Sequence, residues 1–135
     1  MDSASIQFAA FEKRKYLSLE TFRKSGEGVR TPVWFAAETQ RGMDGGAAAL
    51  YIYTIGNTGK VKRIRNNPRV RIAPCDMRGN VSGGWMEARA EILQGGAAAH
   101  GMELLNRKYF PWKQLLGVAA FFSRRERVVM ALRPV

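Results

Sequence analysis

A chain of 135 residues with 46% hydrophobic and 24% charged residues can close a core of its own, and that balance excludes a disordered chain. Its formal net charge of +11 points to an anionic partner, whether nucleic acid, an acidic membrane surface or a charged ligand, and says nothing about fold. One cysteine, Cys75, and one histidine, His100, exclude an intrachain disulfide and a structural zinc site of four cysteines or of paired cysteines and histidines within one chain.

A Ser-His-Asp triad would have to use His100. The opening "MDSASIQFAAFEKRKYL" lacks the basic and apolar regions of a signal peptide, and the apolar run "LLGVAAFF" is too short to span a bilayer. A single domain over residues 1–135 in a reducing cytoplasm, away from membranes, is the expectation.

In chain order, Ile6 to Lys15 reads as a first helix capped by Ser3 or Ser5. "YLSLETF" alternates, with Leu17, Leu19 and Thr21 on one side and Tyr16, Ser18, Glu20 and Phe22 on the other, which predicts a strand. "RKSGEG" is a hairpin loop and "VRTPVWFAAE" the returning strand. Pro32 inside it calls for an edge position or a ladder interrupted for a ligand. "TQRGMDGGA" is a turn and "ALYIYTI" a third strand. Thr58 to Asn66 predicts a short helix with Val61 and Ile64 as a narrow apolar stripe, ended by Pro68. "RVRIAPC" is a fourth strand, "MRGNVSGG" a loop and "WMEARAEIL" a fifth strand. "AAAHGMELLNRKY" is helical, with Ala99, Met102 and Leu105 on one side, and "RERVVMALRP" is a last strand. Strands joined by short turns predict an antiparallel sheet closed as a six-stranded barrel with peripheral helices.

Three constellations bear on chemistry. In "GNTGKVKR", Thr58 can cap a helix whose free N–H groups favour a phosphate, Gly59 lets a ligand approach, and Lys60 with Lys62 or Arg63 supplies charge. The same run also reads as the wet side of a surface helix. Trp34 with Tyr51 or Tyr53, beside Thr31 and Thr54, can hold a flat heteroaromatic ring or simply pack the barrel. Tyr109, Phe110 and Trp112 around Pro111 read as an aromatic packing knot or a subunit contact.

In this order and spacing, "YLSLETF", "VRTPVWFAAE" and "LYIYTIGNTGKVKRIRNNPRVRIAPCDMRG" resemble the split β-barrel flavin and deazaflavin oxidoreductases related to pyridoxamine 5′-phosphate oxidase, from about Tyr16 to Tyr109. "TPVWF" and "GKVKRIRNNPRV" are the specific parts. The resemblance implies a mainly β, six-stranded antiparallel split barrel acting as a homodimer, with cofactor sites built from both chains. It implies that Thr31, Val33 and Trp34 line the cofactor ring, that Tyr53, Thr54 and Ile55 continue that wall, and that Thr58, Lys60, Lys62 and Arg63 hold the phosphate. The C-terminal Arg- and His-rich substrate segment of a true pyridoxamine phosphate oxidase has no counterpart here, so vitamin B6 oxidation is not expected. F420, with its phosphodiester, lactyl carboxylate and glutamate tail, suits so basic a chain better than FMN. The expected activity is hydride transfer between that cofactor and a small organic substrate. The catalytic groups stay unassigned beyond Tyr109 as a proton-donor candidate. The competing readings are a cofactor-binding protein without turnover, and a nucleic-acid-binding barrel using Arg69, Arg71 and Arg89, for which no RNA-binding signature is present.

Overall fold

Residues with apolar side chains at alternate positions need a partner for each face, and this chain supplies one by curling its sheet and laying a helix on the outside. The computed structural model describes residues 11, 14–38, 49–55, 59–108 and 127–135. In order these form β1 (Tyr16–Phe22), β2 (Gly28–Glu38), β3 (Ala49–Ile55), α1 (Gly59–Asn66), β4 (Arg69–Cys75), β5 (Met86–Ile92), α2 (Gly95–Lys108) and β6 (Arg127–Pro134). The strands close as a barrel in the order β1-β2-β3-β6-β5-β4, with β4 returning to β1, and each pairing is antiparallel.

Two cores follow from the alternation. Leu17, Leu19, Val33, Phe35, Leu50, Ile52, Ile72, Met130 and Leu132 fill the barrel, joined by Phe11, whose ring meets Phe35 edge-on at 5.9 Å. The outward row of β3, Ala49, Tyr51 and Tyr53, packs with Ala36, Val129 and Ala131 beneath Ala98, Met102 and Leu105 of α2. Helix α1 stands against β1 and sends Ile64 into the barrel core, with Val61 also fully buried.

The first predicted helix lies outside the described residues except for Phe11 and the pair Arg14–Lys15, as do the 39–47 turn and the aromatic knot at 109–112. Helix α2 starts at Gly95, two residues earlier than the sequence suggests. Its packed face is Ala98, Gly101, Met102 and Leu105, while Ala99 is exposed. The spacing i, i+3, i+4, i+7 explains the shift of one residue. His100 pins this helix to β2: its Nε2 lies 2.6 Å from Glu38 Oε2, and the other Glu38 oxygen accepts the Tyr51 hydroxyl at 3.1 Å. No helix among the described residues is long and apolar enough to cross a membrane.

Candidate functional site

Strand β2 changes neighbours half-way along. Its first part, Gly28 to Trp34, pairs with β1, and only its last part, Phe35 to Glu38, pairs with β3. Strand β3 runs on past that point, pairing with β6 as far as Ile55↔Arg127. Beyond Phe35 and Ile52 the two strands therefore part, and the barrel is split there. Pro32 lies in the parted half of β2, where a missing N–H breaks no ladder with β3. That is the interruption its place in the sequence called for.

The split opens into a pocket of about 320 Å³ lined by Tyr16, Pro32, Val33, Trp34, Tyr53, Thr54, Lys60 and Met77. Trp34 and Tyr53 stand on facing sides of the split with ring centroids 6.3 Å apart at 64°, an edge-to-face contact. Arg127 lies 5.6 Å over the Tyr53 ring, and burial raises the Tyr53 phenol above its ordinary range despite that cation. The phenol consequently keeps its proton through neutral pH.

The cationic end is built by α1. Side chains of a helix lean toward its N-terminus, so Arg63 folds back over Gly59, where an added Cβ would stand 2.6 Å from the guanidinium. Arg63 Nε also donates to Thr21 Oγ1 of β1 at 2.6 Å, which fixes the guanidinium beside the helix start. Lys60 is half-buried in the pocket wall, and its pKa is lowered by burial and by the neighbouring Arg63 charge. Lys60 thus stands in the wall of a partly desolvated pocket, with the Arg63 charge near enough to act on it.

Of the residues singled out from sequence, the pocket gathers Val33, Trp34, Tyr53, Thr54 and Lys60. Thr31 sits one step back, paired with Leu19, and its hydroxyl is buried with no hydrogen-bond partner among the described residues. Arg63 stands behind Lys60 as described, Lys62 is exposed on α1, Ile55 closes the β3–β6 ladder, and Thr58 lies outside the described residues. Sequence reasoning missed Tyr16 and Met77 as wall residues. The register Tyr16↔Trp34 and Tyr16↔Cys75 carries both to the split from distant parts of the chain. The one sequence signal for Met77 is a large apolar residue set in a Gly- and Asn-containing loop.

No protein-family model matches the sequence, and no curated protein matches it. Solved structures do resemble it. A Listeria innocua protein assigned as a pyridoxamine 5′-phosphate oxidase superposes with a TM-score of 0.59 at 14% identity, over 97% of this chain and 92% of that one. The fold is the split β-barrel of the pyridoxamine 5′-phosphate oxidase type. An F420 reductase shares this split barrel with a TM-score of 0.57 and 21% identity, over 93% and 91% of the two chains. So does the heme storage protein HutZ from Vibrio cholerae, with a TM-score of 0.63 and 13% identity, over 98% and 90%. The split barrel is a frame that serves both oxidoreductases and heme binders.

Proposed function

We propose that the pocket at the split holds a phosphorylated tricyclic cofactor, F420 in preference to FMN, and that the protein transfers a hydride between it and a small organic substrate. The observation that carries this reading is the half-buried Lys60, backed by Arg63, in the wall of a pocket that it shares with Trp34 and Tyr53. An anion placed there stabilises the charged amine that burial disfavours and offsets the Arg63 repulsion. The pocket volume, about 320 Å³, is at the small end of ligand sites. It accommodates the ring system and leaves a ribityl-phosphate tail to run out along α1, where Lys62 and Arg65 are exposed. The parted edges of β2 and β3 offer backbone groups to a heterocycle's polar rim.

When bound, the cofactor supplies the hydride chemistry. The protein's part is to orient the ring between Val33, Trp34, Tyr53 and Thr54, to exclude water with those apolar faces, and to neutralise the phosphate through Lys60. The protonated Tyr53 phenol is a proton source within the pocket. In keeping with the sequence resemblance, the same reading takes the protein as a homodimer. The likeness to a heme storage protein favours one second reading, binding of a cofactor without turnover. Hydride-transfer assays with the loaded protein separate the two.

Titration with F420 and with FMN, followed by absorbance and fluorescence, tests the assignment. Lys60→Ala is expected to weaken binding at least about tenfold, the loss of a charge-assisted contact, with the unfolding transition unchanged. Affinity in the parent protein is expected to fall as pH rises through the lowered Lys60 pKa, below the ordinary lysine range, because only the protonated amine attracts the phosphate. An unaltered affinity in Lys60→Ala overturns the site. Sedimentation of the same samples is expected to give about twice the chain mass of 15.1 kDa.

A further inference from the structure

We infer that Met77 is the lip on which an uncharged, largely apolar substrate docks, on the side of the pocket walled by Tyr16 and Pro32. The inference rests on the cofactor reading above and adds the substrate side of the site. Met77 lines the pocket yet is 68% exposed; the other exposed large hydrophobic side chains among the described residues are Val81 and Val135. An apolar side chain left in water on a floppy loop would mean little. This loop is held from inside. Asp76 Oδ1 accepts the backbone N–H groups of Arg78 and Asn80, each at 2.9 Å, and Asp76 Oδ2 accepts Asn80 Nδ2 at 3.0 Å. The Asp76 carbonyl accepts Gly79 N–H at 3.0 Å, and Asn80 O accepts Asp76 N–H at 3.1 Å. Gly79 takes a φ of 91°, which a side chain would resist. These donors hold the Asp76 carboxyl below its ordinary range.

The loop is also tied to the barrel. Cys75 bridges Val81, Ser82 N–H donates to Pro74 O at 2.8 Å, and a Cβ on Gly79 would stand 3.7 Å from Pro32 Cδ. Met77 is thereby presented at a fixed place beside the β2 wall of the pocket. Register sets the polarity of the site. Cys75, two residues before Met77, pairs with Tyr16 at the start of β1, whereas Arg63 of the cationic helix reaches Thr21 near its end. Those two levels of β1 are about 17 Å apart at ~3.3 Å per residue, which sets the strand end that carries the Met77 loop apart from the Arg63 guanidinium. The Met77 side is walled by Tyr16, Pro32 and the thioether, with no Asp, Glu, Lys or Arg side chain among them. A flexible, polarizable thioether adapts to flat apolar faces and gains from aromatic contact. Charge from Lys60 selects the cofactor, and apolar contact at Met77 selects the substrate.

Calorimetry with two probes of one shape tests this: neutral β-naphthol and anionic β-naphthoate, titrated into protein saturated with F420. β-Naphthol is expected to bind more tightly than β-naphthoate. Met77→Ser is expected to weaken β-naphthol about five- to tenfold, the effect of uncovering much of a methionine side chain, and Met77→Leu to restore it. Each variant is saturated with F420 before the titration, so the comparison reads β-naphthol affinity alone. Equal β-naphthol affinity in Met77→Ser, absence of β-naphthol binding, or tighter β-naphthoate binding each overturns the proposal. Should neither F420 nor FMN bind, the cofactor reading falls, and the β-naphthol comparison in the cofactor-free protein still decides Met77.

Discussion

Glu20 points to the outside of the barrel, where a carboxylate should be wet, yet it is only 5% exposed. Its neighbours across both ladders are arginines, Arg30 on β2 and Arg71 on β4, bonded to its two oxygens at 2.9 and 3.2 Å. Both guanidinium groups stack on Trp85, at 4.5 and 5.2 Å from its ring. The arginines are partly exposed and the carboxylate is not, so removing either side has unequal cost. Glu20→Gln leaves two cations that water can solvate, and should destabilise by about 1 kcal/mol. Replacing Arg30 and Arg71 together by Met strands a buried carboxylate, and should cost about 3–5 kcal/mol. Urea unfolding of the two variants checks the order, and equal losses would show that the carboxylate is not the buried partner. Alternation along "RVRIAPC" puts Arg69 and Arg71 on one face of β4. The partner of Arg71 lies 51 residues away, and only barrel closure brings them together. Met77 was hidden for the same reason, whereas Lys60 stood out because helix-start chemistry is local.

At the scale of elements, strands were legible where side chains alternate and turns are short, as in "YLSLETF" and "ALYIYTI". What periodicity could not show is that β2 leaves one neighbour for another at Trp34 and Phe35, because exchange of partners leaves the inward and outward rows unchanged. Pro32 was the single local sign of it. Helix α2 tests how far packing overrides propensity. Gly101 lies mid-helix, where alanine should gain about 1 kcal/mol. A Cβ there, however, would come within 2.8 Å of Tyr51 Cδ1 and 3.0 Å of Val129 Cγ1, both in the layer beneath the helix. Overpacking of that kind costs about 1–3 kcal/mol, so Gly101→Ala is expected to lower stability by about 1 kcal/mol net. A rise in melting temperature would show that α2 can ride outward freely and that its seat on β3 is loose.

For the whole molecule, the surplus of 22 basic over 11 acidic side chains invites a nucleic-acid reading, but a count does not say where the charge is free. The structure uses much of its acid to quench arginines on the barrel surface. Glu20 takes Arg30 and Arg71, Glu87 takes Arg69, Glu103 takes Arg107, and Arg133 lies 4.0 Å from Glu91. Arg69 and Arg71, which could have formed a basic strip with the preceding helix, are therefore both paired. Helix α1 differs: it has no acidic residue in its first turn, and Lys60, Lys62, Arg63 and Arg65 crowd into its eight residues. A short cluster suits a ligand with a few fixed charges. A polynucleotide needs many phosphate contacts, and each released counterion makes its binding steeper in salt. Raising salt from about 50 to about 200 mM should abolish retention of a fluorescent oligonucleotide, a loss of about a thousandfold if six phosphates were engaged. F420 or FMN, held by one desolvated cation and by apolar walls less open to screening, should lose far less over the same range. Titrations of both ligands in one salt series check this. Tight oligonucleotide binding that persists at the upper salt would mean that the paired arginines release their glutamates to bind phosphate, and that the barrel surface rather than the split is the working face.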